Sequence, residues 1–146
     1  MLPAMILHYA LWWMSRHPPV PGVPNRVSTA AETVSRQYGV PAPLLLAVAK
    51  VESRFHTYAI SPCGARGIMQ LMPSTARLLH VKNAFNIKES MTGAAKYLLR
   101  LSWHFGGVKQ ALFAYNTGHA GTSWQVNHSG YVHAVLHNYR LLGAAS

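Results

Sequence analysis

The chain has 146 residues, half of them hydrophobic and 11% charged, so it is long enough for one packed domain and too apolar to be disordered. Lys and Arg number 13 against 3 acidic residues, all glutamate, for a net charge of +10 with neutral histidines. That balance points to an anionic partner, whether nucleic acid, an acidic membrane face or an acidic wall polymer, and does not choose among them.

The first fourteen residues, MLPAMILHYALWWM, form an apolar run too short to span a membrane. They lack the basic start and small-residue cleavage site of a good signal peptide. A degenerate export signal, a membrane-proximal anchor and a stray helix all fit this run. Pro18, Pro19, Pro21, Gly22 and Pro24 make residues 15–26 a linker. The chain therefore divides into an N-terminal segment, 1–26, and a domain, 27–146.

Ser28 or Thr29 is the expected N-cap of the first domain helix, and Gly39 and Pro41 mark its end. A second helix is expected over Ala42 to Phe55. The segment ISPCGARGIMQLM holds Pro62, Gly64 and Gly67 and reads as turns with a small hairpin. Pro73 fits the first turn of a third helix running to His80. A fourth helix spans Lys88 to Phe105 and stops at Gly106 and Gly107. A fifth covers Val108 to Asn116, residues 118–129 read as a loop, and a last helix covers Tyr131 to Leu142. The expected fold class is mainly α, a single compact domain with little strand.

The second helix carries the chemistry. Leu45, Val48, Ala49 and Glu52 share a stripe at i, i+3, i+4 and i+7, with Leu44, Val48, Val51 and Phe55 beside it. Glu52 thus sits at the edge of the core-facing side. A carboxylate there loses hydration, its pKa should rise, and a general acid near neutral pH needs that rise. The alternative for the same residue is a surface ion pair with Lys50, Arg54 or Arg66.

The stretch from Glu52 to Ala76 resembles the catalytic core of bacterial lytic transglycosylases of the soluble (SLT) type, which cleave peptidoglycan between N-acetylmuramic acid and N-acetylglucosamine. The matching residues are Glu52-Ser53, Ser61, Gly64-Ala65, Gly67-Ile68-Met69-Gln70, Met72-Pro73 and Thr75-Ala76. A second block, ALFAYNTGHAG, holds Tyr115, Asn116 and Gly118, and a third is Tyr131-Val132. FNIKESMTGAAKYLLRL, between the first two blocks, is also similar to the family. The resemblance covers about residues 28–142 and implies a lysozyme-like, mainly α fold.

It also implies a scheme with one carboxyl and no cofactor. Glu52 would protonate the glycosidic oxygen while the substrate's own N-acetyl carbonyl stabilises the developing cation. The carboxylate would then take the proton of the sugar's 6-hydroxyl, leaving a 1,6-anhydromuramoyl end. By position, Ser61 and Gln70 would hydrogen-bond the sugar or its acetamido group, and Met72 would line the cleft floor. Tyr115 and Asn116 would orient the acetamido carbonyl or Glu52, and Tyr131 would lie close to Glu52 or to the acetamido nitrogen. The carboxylate supply agrees with such a scheme: Glu89, in the first turn of the fourth helix, reads as a cap and Glu32 as part of a solvated face. His56-Thr57-Tyr58 and His119 depart from the family pattern. Trp124 reads as a half-buried loop aromatic, with stacking on a sugar ring as the alternative.

Nine histidines, among them His133 and His137 at i, i+4, make no recognisable metal site without Asp or a second Cys. The scattered basic residues come with no nucleic-acid-binding motif. The implied partner is peptidoglycan in the periplasm or cell envelope, in the service of a secretion, conjugation or phage machine that spans it. A hydrolytic muramidase of the goose-lysozyme kind and a non-catalytic wall-binding scaffold are the alternatives.

Overall fold

A computed structural model describes residues 20–145. Seven helices are found among them: α1 (Asn25–Tyr38), α2 (Ala42–Ser53), α3 (Pro73–Leu78), α4 (Ile87–Phe105), α5 (Val108–Thr117), α6 (Ser123–Asn127) and α7 (Gly130–Ala144). The apolar run at the N-terminus lies outside the described residues.

The helix order agrees with the sequence reading, and the differences have local causes. Helix α1 starts at Asn25 behind an extended Pro24, three residues before the first expected cap. Ser28 is therefore inside the helix, where its hydroxyl donates to the Asn25 carbonyl at 3.0 Å. Proline supplies the preset φ that opens the helix, so no side-chain cap is needed. The expected loop 118–129 contains α6, which begins with a capping box: Thr122 Oγ1 accepts from Gln125 N–H and Gln125 Oε1 accepts from Thr122 N–H. Trp124 lies on this helix, 69% exposed and stacked on His128 at 4.5 Å, rather than half-buried in a loop.

Helix α2 is the centre of the fold. Six consecutive residues, Leu44 to Ala49, are buried, because α7 covers one side and α1 and α4 the others. Burying each leucine stabilises the fold by roughly 2 kcal/mol, so this helix is held by packing on all sides. Helix α1 contributes Val27, Ala31 and Val34, α5 contributes Leu112 to Ala114, and α7 contributes Val132 and Val135.

Helix α2 ends two residues before Phe55, the expected end. Arg54 (φ 51°) and Phe55 (φ 66°) both adopt left-handed backbone, turning the chain sharply just beyond Glu52. Two left-handed non-glycine residues in a row are uncommon and store strain. The chain then runs through the turn segment to Leu71. The expected hairpin is reduced to two isolated antiparallel bridges, Ile60 with Arg66 and Arg66 with Leu71. Buried Ile68, Met69 and Leu71 anchor this segment in the core. Gly67 is required in it: φ is +77°, and a Cβ would stand 1.8 Å from the Ala84 carbonyl oxygen.

Candidate active site

Glu52 is the penultimate residue of α2, at the carbonyl end of the helix. The macrodipole there disfavours an anion. Its side chain is half-buried, and its hydrogen-bond partner is a tyrosine rather than Lys50, Arg54 or Arg66. The Tyr131 hydroxyl donates to Glu52 Oε1 at 2.7 Å. Tyr131 is the second residue of α7, and the tight packing of α7 on α2 brings together residues 79 positions apart.

Burial holds the Glu52 carboxyl above its ordinary value, and the Tyr131 bond opposes that rise without cancelling it. The reason is the number of donors. Removal from water penalises the charged form, and a single phenol compensates only part of the lost hydration. The other two glutamates do not contribute to the shift. The Tyr131 hydroxyl is pushed well up, by burial first and then by the negative charge of Glu52. It therefore stays a donor.

Tyr115, near the end of α5, is similarly held protonated by burial, by Glu52 and by Tyr97. Its hydroxyl donates to the Met69 carbonyl at 2.8 Å, and its ring lies against Tyr97 at 5.5 Å. Tyr115 thus ties α5 to the turn segment beyond Glu52. Tyr97 has no counterpart in the sequence reading, where its only signal is that of one more aromatic on α4.

The turn segment is braced by residues expected to bind sugar. Gln70 (φ 50°) donates its side-chain amide to the carbonyls of Gly67 at 2.9 Å and Ala59 at 3.2 Å. Both amide protons are engaged within the protein, and Oε1 is left as the acceptor. Ser61 Oγ accepts from Ala65 N–H at 3.0 Å and keeps its hydroxyl proton to give. Met72 is exposed just before α3, and Asn116 is exposed beside Tyr115. Tyr131 is the member of the expected set hydrogen-bonded to Glu52.

Ser53, which enters the sequence reading only as part of a motif, has a clear task. Its buried hydroxyl lies 2.8 Å from the Ile68 carbonyl and 3.1 Å from that of Ala49, fastening the end of α2 to the turn segment. Glu89 Oε2 accepts from the backbone N–H groups of Lys82 and Asn83, each at 3.0 Å, and Asn86 Oδ1 accepts from Glu89 N–H. The structural role read for Glu89 stands. Glu32 is a correction: one of its oxygens, Oε2, is buried without a hydrogen-bond partner instead of lying on a solvated face. It is flanked by buried Ala31 and Val34 on a helix covered by α2 and α4. No cluster of three or more metal-binding side chains occurs among the described residues.

Comparison with known proteins gives a consistent picture. The family model described as the transglycosylase SLT domain matches residues 29–133. The chain is 35% identical over 108 residues to a transglycosylase of Enterobacteria phage PRD1, covering 74% of this chain and 41% of the relative. It is 43% identical over 70 residues to membrane-bound lytic murein transglycosylase F 1 of Alkalilimnicola ehrlichii, covering 48% of this chain and 14% of the relative. The chain thus spans about two fifths or less of the curated relatives it matches. Among solved structures, lytic transglycosylase Slt of Pseudomonas aeruginosa aligns at 21% identity and a TM-score of 0.67, over 95% of this chain and 29% of that one. The 70 kDa soluble lytic transglycosylase of Escherichia coli aligns at 20% identity and a TM-score of 0.66, over 86% of this chain and 25% of that one. The fold is that lysozyme-like, mainly α architecture.

Proposed function

The chain belongs to the transglycosylase SLT family, and on that premise we propose that it is a peptidoglycan lytic transglycosylase. It cleaves the β-1,4 bond between N-acetylmuramic acid and N-acetylglucosamine. The observation that carries this reading is the half-buried Glu52 with a raised pKa and a phenol on one oxygen. Tyr131 engages Oε1, so Oε2 carries the acid proton toward the substrate. That proton passes to the glycosidic oxygen as the C1–O bond breaks, and the acetamido carbonyl of the same sugar stabilises C1. Glu52, now an anion, takes the proton of the 6-hydroxyl as that oxygen bonds to C1. The carboxyl ends as it began, and no water is consumed.

The surroundings favour auxiliary roles for the other residues. Ser61 has a hydroxyl proton to donate, and Gln70 has an acceptor oxygen. Tyr115 acts by holding the turn segment beyond Glu52 at Met69. Met72, Asn116 and Tyr131 complete the contacts with the sugar or its acetamido group. The site of action is the cell envelope, and the partner is the glycan strand. The likeness to a phage transglycosylase favours service to an envelope-crossing machine.

The test is digestion of purified sacculi by the protein and by Glu52→Gln, with the released muropeptides weighed. Ends lighter by one water than the hydrolysed product, absent with the variant, are the expected result. Hydrated reducing ends would make it a muramidase. Binding to sacculi without release by either protein would make it a scaffold.

A further inference from the structure

Helix α7 has a second functional face. His133, His137 and Arg140 recur at i, i+4 and i+7, so their side chains form one stripe. Tyr131 lies two residues before His133, about 200° away around the helix. The stripe therefore borders a region distinct from the one facing Glu52. There, a cleft of about 380 Å³ opens between α5, α6 and α7. Lys109 enters it from the first turn of α5, Asn127 from the end of α6, and the stripe from α7. Its inner wall includes buried Val126 and Val132, which fix the spacing of the elements that carry the polar groups.

The chemistry of the rim is one-sided. No lining residue is acidic, while Lys and Arg supply two permanent positive charges and the two imidazoles and the Asn127 amide supply further donors. The N-cap of α5, Gly107, offers no side-chain acceptor to the first-turn amides near Lys109, so that helix end adds to the positive field. The five polar side chains at this rim come from three helices and are all exposed, and a carboxylate has about four lone-pair sites to offer them. A tetrahedral oxyanion matches them better. Arginine's fork and lysine's point charge are complementary ways of holding one.

We infer that this cleft binds a phosphate group, presented either by a small free phosphate or by a phosphodiester polymer. The inference is independent of the Glu52 chemistry. It gives part of the chain's positive charge a local task in place of a diffuse attraction to acidic polymers.

The test is an amide NMR titration of the full chain at constant ionic strength, with inorganic phosphate, with soluble poly(glycerol phosphate), and with acetate as comparator. Saturable shifts centred on Lys109, Asn127, His133, His137 and Arg140 are expected with a phosphate probe and not with acetate. The double variant His137→Gln/Arg140→Gln should weaken that binding by roughly tenfold or more, through loss of charge-assisted hydrogen bonds. Lys109→Gln, on a different helix, should weaken it as well and serves if the double variant does not fold. Arg77→Gln, on α3, should leave it unchanged. Saturation by inorganic phosphate identifies a small anion as sufficient, and saturation by the polymer alone identifies a phosphodiester chain. Equal response to acetate, shifts spread evenly over the basic surface, absence of saturation with both phosphate probes, or equal losses in Arg77→Gln and the cleft variants would overturn the proposal.

Discussion

Two glutamates in this molecule are each partly buried near a helix end, and they have opposite fates. Glu89 stands in the first turn of α4, where the helix dipole favours an anion, and two loop amides converge on its Oε2. Glu52 stands at the last turn of α2, where the dipole opposes an anion, and a single phenol donates to it. Glu89 therefore organises the loop 82–86, while Glu52 is held toward its neutral, proton-carrying form. Burial raises the Glu52 pKa against a single opposing donor, whereas two backbone amides fasten Glu89 to its loop.

The largest effect that tests this contrast is on activity. Glu52→Gln should lower glycan cleavage by about 100-fold or more, the usual scale of a general acid, with the fold retained. Its stability should change in a defined direction with pH. Because the folded pKa is raised, the native state binds more protons than the unfolded state once pH exceeds the ordinary carboxylate value. The native protein should thus lose stability as pH rises through that window, and thermal melts of Glu52→Gln should not show that loss. A variant with the native pH profile would break the contrast.

Glu89→Ala should do the reverse. Removing an acceptor shared by two backbone N–H groups should cost about 2 kcal/mol in urea unfolding, while the activity of the folded fraction is maintained. A smaller effect, about 1–2 kcal/mol, is expected for Ser53→Ala, which leaves the Ile68 carbonyl without its buried partner. Smallest in rate is Tyr131→Phe, an expected loss of up to about tenfold. Its signature is in the pH profile. The Tyr131 bond lowers the Glu52 pKa, so its removal should move the alkaline fall in activity to higher pH. A limb that stays in place would mean that Tyr131 does not tune the acid.

Much of the helix plan is legible in the sequence because the breakers are strong. Gly39, Gly106 and Gly118 each cap a helix in left-handed backbone, as their places after apolar-periodic stretches lead one to expect. The five-residue helix α6 is harder to see although its capping pair, Thr122 and Gln125, is written in the sequence; the surrounding Gly and His residues obscure it. The start of α1 differs from expectation because serine is a common cap, and here proline takes its place. In the site, Glu52 stands out from its apolar stripe, and the roles of Ser61, Gln70 and Tyr115 come from family likeness. That Gln70 braces its own loop and Tyr115 grips Met69 cannot be read from either source.

By itself, then, the amino-acid sequence determined that the protein is helical, where most helices stop, and that one carboxyl lies on an apolar face. These follow from local rules: side-chain period, backbone freedom and the scarcity of acids. Only the tertiary structure decided which group meets that carboxyl and how its proton is held. Tyr131 is 79 residues from Glu52, and only the packing of α7 against α2 brings its hydroxyl within 2.7 Å. The same folding separated the two faces of α7, giving one to the acid and the other to a cleft of positive charge.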